Sequence, residues 1–257
     1  MVEPAEPAQC SRVPRRLHQI WIQGQEQMPA RLVELQRTWR KLNPGHEYRL
    51  WDEPALRGLI AARHAWFLPT WDGYRYLHQR ADAGRLFVLY EQGGFYADVD
   101  ARALRPLDEL TAMVPDARVI ASELPFAGLD RTLIALACGT SRLITNAIMG
   151  MEPGLQEWLE VLRRLPGRST FLRFHKELSI AFGTGPMFLS GAVDRAFAGC
   201  RGHVAIMPAR LFERRLGYQP YFPAPPDAFM DHLMDASWHS PWLQRLLKLY
   251  YGLLHRG

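Results

Sequence analysis

The stretch Gly93-Gly94-Phe95-Tyr96-Ala97-Asp98-Val99-Asp100 constrains this chain most. It reads as a double-glycine stop, a short apolar strand, and two carboxylates one residue apart at the strand's end. On an extended chain, that spacing puts both acids on one face. Two anions held so close repel each other unless a divalent cation sits between them or one is protonated. Oxygen ligands of this kind suit Mg²⁺ or Mn²⁺, which also bind the phosphates of a nucleotide diphosphate and neutralise it as a leaving group. An Asp-x-Asp pair also occurs on solvated strand ends and turns, so its setting matters. The preceding helix carries Arg80, Asp82 and Arg85. Asp82 and Arg85 share a helix face, which by itself would be a surface ion pair of little worth.

Around this stretch the chain alternates strands and helices. Val13 to Ile22 ends in a short apolar run closed by Gly24 and reads as a first strand running into a loop. Leu32, Leu35, Trp39 and Leu42 recur at helical spacing from Pro29 until Asn43-Pro44-Gly45 stops them, and Tyr48 to Trp51 reads as a second strand. A long helix is expected from about Tyr74 to Gln92, ended by Gly93-Gly94, with Phe95 to Val99 as the next strand. Arg118 to Ser122 and His203 to Met207 read as strands, Gly154 to Leu165 as a helix, and Thr184-Gly185-Pro186 as the turn that opens a helix from Met187. No internal repeat or low-complexity linker appears. The expected architecture is one α/β domain over residues 12–240, with a mixed, mostly parallel central sheet flanked by helices. Residues 1–11, rich in Pro, Glu and Ala, are expected to be a disordered leader. Residues 241–257 read as an amphipathic, basic tail.

Composition narrows the function. Lys and Arg number 31 against 26 acids, a formal net charge of +5, but these charges are spread along the chain. Nucleic-acid binding normally shows a concentrated basic face, so it is not expected. The three cysteines, Cys10, Cys138 and Cys200, are odd in number and far apart, which argues against a disulfide framework and for a reducing compartment. The N-terminus lacks the pattern of a signal peptide, and no apolar run is long enough to span a bilayer. A cytoplasmic location is expected, with the tail as a peripheral membrane contact; an end helix docked on its own domain is the alternative.

Arg80-Ala81-Asp82-Ala83-Gly84-Arg85, Leu89-Tyr90, Gly93-Gly94, Tyr96 and Asp98-Val99-Asp100 together resemble the DXD sugar-binding region of glycosyltransferase family 32. His18-Gln19-Ile20-Trp21 looks like that family's first strand and resembles the nucleotide-binding strand of the clostridial glucosylating toxins. Asn146, Pro153-Gly154, Thr184-Gly185-Pro186, His232 and Ser237-Trp238 are similar to later family blocks. The family commonly has Ser where this chain has Ala81, and Gly84 interrupts the helix at a cost of about 1 kcal/mol relative to Ala.

The resemblance implies a GT-A nucleotide-sugar-binding fold and a divalent cation, Mn²⁺ or Mg²⁺. It also implies transfer of a hexose from a UDP- or GDP-sugar, with retained anomeric configuration, to a glycan, lipid-linked or protein hydroxyl. Carried over, Gln19, Ile20 and Trp21 line the nucleotide, with Trp21 stacking on the base. Asp82 and Arg85 bind the donor sugar, and Tyr96 lines the donor site. Asp98 reaches ribose, sugar or the metal, and Asp100 ligates the metal directly. His232 and Ser237 close the metal and diphosphate side, and Trp238 covers the phosphates. Asp231, Asp235 and His239 remain alternatives to His232 as ligand. Thr184 and Gly185 face the sugar or merely start a helix.

His18, inside an apolar strand, reads as structural. Two other classes compete with glycosyl transfer. One is a catalytically silent sugar-binding module of the same fold. The other is a Mg²⁺-dependent phosphatase with Asp-x-Asp after a strand, disfavoured because such enzymes also need a later Lys and only Lys41, Lys176 and Lys248 exist.

Overall fold

A computed structural model describes residues 12–168, 175–213 and 223–233, together with residue 245. The chain opens with β1 (Arg16–Ile20), α1 (Ala30–Leu42) and β2 (Glu47–Trp51), then passes through α2 (Glu53–Arg63) and the short α3 (Leu68–Asp72) into α4 (Leu77–Gln92). After α4 come β3 (Gly94–Ala97), β4 (Ala101–Ala103), α5 (Leu107–Met113), β5 (Val119–Glu123), α6 (Gly128–Cys138) and β6 (Ile144–Met151). Next follow α7 (Gln156–Arg163), α8 (Lys176–Gly183), α9 (Pro186–Ala196), β7 (Val204–Met207) and β8 (Met230–His232).

Six strands form the central sheet in the order β2-β1-β3-β6-β5-β7. All run parallel except β6, which is antiparallel to both β3 and β5. The expected mixed, mostly parallel sheet is therefore the observed one. Alternation along the strands splits the core into two layers. Tyr96, Met149, Val119 and Ala121 face α2, α4, α7 and α9. Phe95, Ala97, Ile148 and Ile120 face Trp39, the α5 leucines and Phe229. β4 and β8 form a separate antiparallel pair, with Ala101 opposite His232, and this pairing brings the far C-terminal segment beside the acidic motif.

The structure corrects several boundaries. β1 ends at Ile20, and α4 begins at Leu77 because Tyr74 belongs to a turn in which its N–H donates to the Trp71 carbonyl. β3 ends at Ala97, so Asp98 and Asp100 do not stand on one face of a strand. They sit on a turn in which the Ala101 N–H donates to the Asp98 carbonyl at 3.2 Å, while Val99 turns into the core. The acids converge because the backbone bends between them.

Two glycines are sterically required for this path. Gly94 has φ +85°, and a Cβ there would lie 2.6 Å from both Cβ and the carbonyl oxygen of Arg16. Gly84, inside α4, lets α2 approach: a Cβ would meet the Leu56 side chain at 2.9 Å. The propensity cost of that glycine is offset by helix packing. Among the described residues no helix is long and apolar enough to cross a membrane. The leader and, apart from Arg245, the tail lie outside the described residues, as do Asp235, Ser237, Trp238 and His239.

Candidate active site

The site lies at the carboxyl ends of β1 and β3, where ligands of open α/β sheets bind. Since β6 runs the opposite way, its first residues reach the same end; the Asp98 N–H donates to the Ala147 carbonyl at 2.8 Å. α4 enters from one face, and its middle turns are buried all round. Asp82 and Arg85 are thus interior groups, not a surface pair.

Its charged side chains are held by one another and by neighbouring polar groups. The Arg85 Nη2 lies 3.1 Å from Asp82 Oδ1, and its Nη1 lies 3.0 Å from Asp98 Oδ1 and donates to the Asn146 carbonyl at 2.6 Å. The guanidinium rests 4.5 Å over the Tyr96 ring, whose hydroxyl donates to Asp98 Oδ1 at 2.6 Å. Asp82 accepts from Asn146 Nδ2 at 2.8 Å and from the Thr184 hydroxyl at 3.1 Å. Burial pushes the Asp82 carboxyl up to about 6 against the pull of Arg85. Burial also raises Asp98, reinforced by Asp100, while Arg85 and His232 oppose it. Burial works against the Arg85 cation, but the carboxylate of Asp98 and the neighbouring groups outweigh it and hold its pKa above the ordinary value. The cluster is a pre-oriented set of donors and acceptors with one fixed cation between two carboxylates.

Beside it stands a second group. One ligand atom each from Asp98, Asp100 and His232 lies within 4.8 Å of the others. His232 Nε2 is 3.1 Å from Asp100 Oδ1 and 3.9 Å from Asp98 Oδ2, and its Nδ1 is 2.9 Å from Glu213 Oε1. Burial by itself would lower the His232 pKa, but Asp100 and then Glu213 raise it well above the ordinary value. Two carboxylates on a turn, faced by an imidazole from β8, suit a divalent cation such as Mn²⁺ or Mg²⁺. The donor set fits.

Residues 29–115 match the family described as the glycosyltransferase sugar-binding region containing DXD motif. Over those residues the chain is similar to the DXD glycosyltransferase sugar-binding region. Its resemblance to glycosyltransferase family 32 thereby holds. It is 31% identical over 236 residues to inositol phosphoceramide mannosyltransferase 3 of Schizosaccharomyces pombe, covering 90% of this chain and 57% of that protein. It is 25% identical over 268 residues to inositol phosphoceramide mannosyltransferase 1 of the same yeast, covering 98% and 73%. To mannosyl phosphorylinositol ceramide synthase SUR1 of Saccharomyces cerevisiae it is 29% identical over 189 residues, covering 74% and 44%. The chain thus spans between about half and three quarters of the length of these relatives. Among solved structures, the PaToxG glycosyltransferase matches with TM-score 0.50 at 15% identity, covering 73% of this chain and 71% of that one, a likeness of fold. The fold is of the GT-A type.

Around the DXD region the structure gathers Asp82, Arg85, Tyr96, Asp98, Asp100, Thr184 and His232 into one place. Gly185 follows Thr184 at the α9 N-terminus, where a Cβ would meet the Ile180 carbonyl at 3.0 Å. Ile20 is buried in the core. The Gln19 side chain is also buried, its Nε2 donating to the Asp98 carbonyl at 3.2 Å and its Oε1 accepting from the Tyr48 hydroxyl at 3.0 Å. Trp21 is partly exposed beside Val99, and its buried Nε1 has no partner among the described residues. Asp231 and His232 are successive residues of β8, and the ring that joins Asp98 and Asp100 is that of His232. Asn146, noted in a later family block, orients Asp82; two further contributors carry no local motif: Glu213, which holds His232, and Tyr48, which braces Gln19.

Proposed function

We propose that this chain is a metal-assisted, retaining hexosyltransferase that moves mannose from a nucleotide-diphosphate sugar to a hydroxyl of an inositol-phosphate-bearing lipid. The observation that carries the transfer reading is the buried Asp82–Arg85–Asp98 cluster abutting the Asp98, Asp100 and His232 donor set, inside the matched DXD region. The sugar and the acceptor class rest on the names of the yeast relatives.

On this reading Asp98, Asp100 and His232 hold the cation, whose chemistry when bound is Lewis-acid neutralisation of the departing diphosphate. Asp82, pinned by Asn146 and Thr184, accepts hydrogen bonds from donor-sugar hydroxyls. Its rigidity means that no side chain reorganises as the sugar reacts. Arg85 supplies a fixed positive charge beside the sugar and keeps Asp98 oriented, aided by the Tyr96 hydroxyl. Trp21, partly exposed beside Val99, covers the base. Front-face attack by the acceptor hydroxyl accounts for retention without an enzyme nucleophile.

The test is Mn²⁺-dependent release of nucleotide diphosphate from a panel of UDP- and GDP-sugars with inositol phosphoceramide as acceptor, using wild type beside Asp100→Asn. We expect release from a mannose donor, an α-configured product, and a loss of about a hundredfold or more in the variant, typical of removing a transition-state electrostatic contact. Equal turnover in the variant would sink the cation assignment. Silence across the panel would favour the non-catalytic module.

A further inference from the structure

Among the described residues that hydrogen-bond within the site, Glu213 is the acid that neither the DXD motif nor its helix supplies. It follows the turn Ala209–Leu211 and the core residue Phe212, so the chain enters Glu213 from the interior, and its side chain is 3% exposed. Burying a carboxylate is costly unless it is matched by a partner. Its Oε1 has one, the Nδ1 of His232 at 2.9 Å; its Oε2 is buried without a hydrogen bond among the described residues. Packing alone would be served better there by an apolar residue of the same size.

The geometry gives the carboxylate a specific use. An imidazole offers one lone pair in its neutral form, and which nitrogen carries it depends on the hydrogen bond made by the other. With Nδ1–H donated to Glu213, the lone pair belongs to Nε2, the nitrogen 3.1 Å from Asp100 and 3.9 Å from Asp98. The β4–β8 pairing sets the backbone of His232 opposite Ala101, and Glu213 then sets the rotation and tautomer of the ring. We propose that Glu213 is a positioning residue for the cation site, holding His232 so that Nε2 faces the ligand atoms of Asp98 and Asp100. This rests on the reading that those three residues bind a divalent cation.

Calorimetric titration of the full chain with Mn²⁺ alone, without donor or acceptor, tests it. Glu213→Leu removes the acceptor while keeping the volume, and we expect Mn²⁺ affinity to fall by about 10–100-fold. Glu213→Gln still offers a carbonyl oxygen to Nδ1–H and is expected to restore affinity to within a few fold of wild type. A role in packing alone would instead leave the two variants alike. Should Glu213→Leu fail to fold, Glu213→Asp withdraws the acceptor by one methylene and is expected to weaken binding where Glu213→Gln does not. Wild-type affinity in Glu213→Leu, or in both Glu213→Asp and Glu213→Gln, overturns the proposal while Asp100→Asn still abolishes binding. Absence of Mn²⁺ binding by the wild type overturns the cation reading and this proposal together.

Discussion

At His18 the two ring nitrogens have different partners. Nε2–H donates to the Gly93 carbonyl at 3.0 Å, and Nδ1 accepts from the Trp51 indole N–H at 3.2 Å. The ring is therefore neutral with a fixed tautomer. Burial, and then the cations Arg16 and Arg49, lower its pKa from 6.5 to about 4 against the pull of the Gly93 hydrogen bond. Between those values the unfolded chain binds more protons than the folded one. The stability contributed is thus fully present above pH 6.5 and is lost as pH falls toward 4, about 3 kcal/mol in all. Urea unfolding at pH 7 and pH 4.5 should show this loss in wild type and a shallower one in His18→Gln; parallel slopes would sink it. The structural assignment of His18 was legible because a histidine inside an apolar strand seldom ligates. The Asp82–Arg85 pair was legible as a pair but not as a buried one, since i, i+3 spacing says nothing about what covers the helix.

The junction from α4 to β3 is where local sequence carries the most tertiary consequence. Gly93-Gly94 ends the helix, and Gly94 then passes against Arg16 of β1 with a positive φ that only glycine adopts freely. Gly94→Ala should lower stability by about 2–5 kcal/mol, strain and overpacking combined. Gly24→Ala, also at positive φ but with open space around it, should cost only the backbone part. Thermal unfolding of the two variants compares them directly, and equal shifts would mean that the Arg16 contact yields easily. Elements with clear periodicity, α1, α4, α7 and β5 among them, were legible to within a few residues. α2 was not anticipated: the structure caps it with Asp52 Oδ1 accepting from the Ala55 N–H at 2.9 Å, but its single buried turn-to-turn pair, Leu56 and Ile60, is weak periodicity. β6 is buried at every residue and shows neither alternation nor a helical stripe.

Across the whole molecule, the donor set joins two segments that the β4–β8 pairing sets side by side: the turn after β3 and strand β8, with Glu213 behind. A ligand that binds only when those segments are in place stabilises the fold by mass action. Mn²⁺ at a hundredfold excess over its Kd should therefore add about 2.7 kcal/mol, which for a chain of 257 residues is roughly 5–10 °C in Tm. Asp100→Asn should lose that shift and keep the metal-free Tm; an unchanged shift in the variant would place the cation elsewhere.

The sequence by itself determined the α/β alternation, the double-glycine stop, and the acidic motif with its upstream Asp82 and Arg85, because these depend on periodicity and spacing within a few tens of residues. Only the tertiary structure decided the rest. Asn146 lies 64 residues from Asp82, Thr184 lies 102 from it, and His232 lies 132 from Asp100. Such partners are chosen by sheet order and by an antiparallel strand inserted between parallel ones, and neither leaves a periodic trace. The same holds for the bend that brings Asp98 and Asp100 together: two carboxylates separated by one residue suggest an extended strand until a turn, closed by Ala101 on the Asp98 carbonyl, is seen to fold them toward one point.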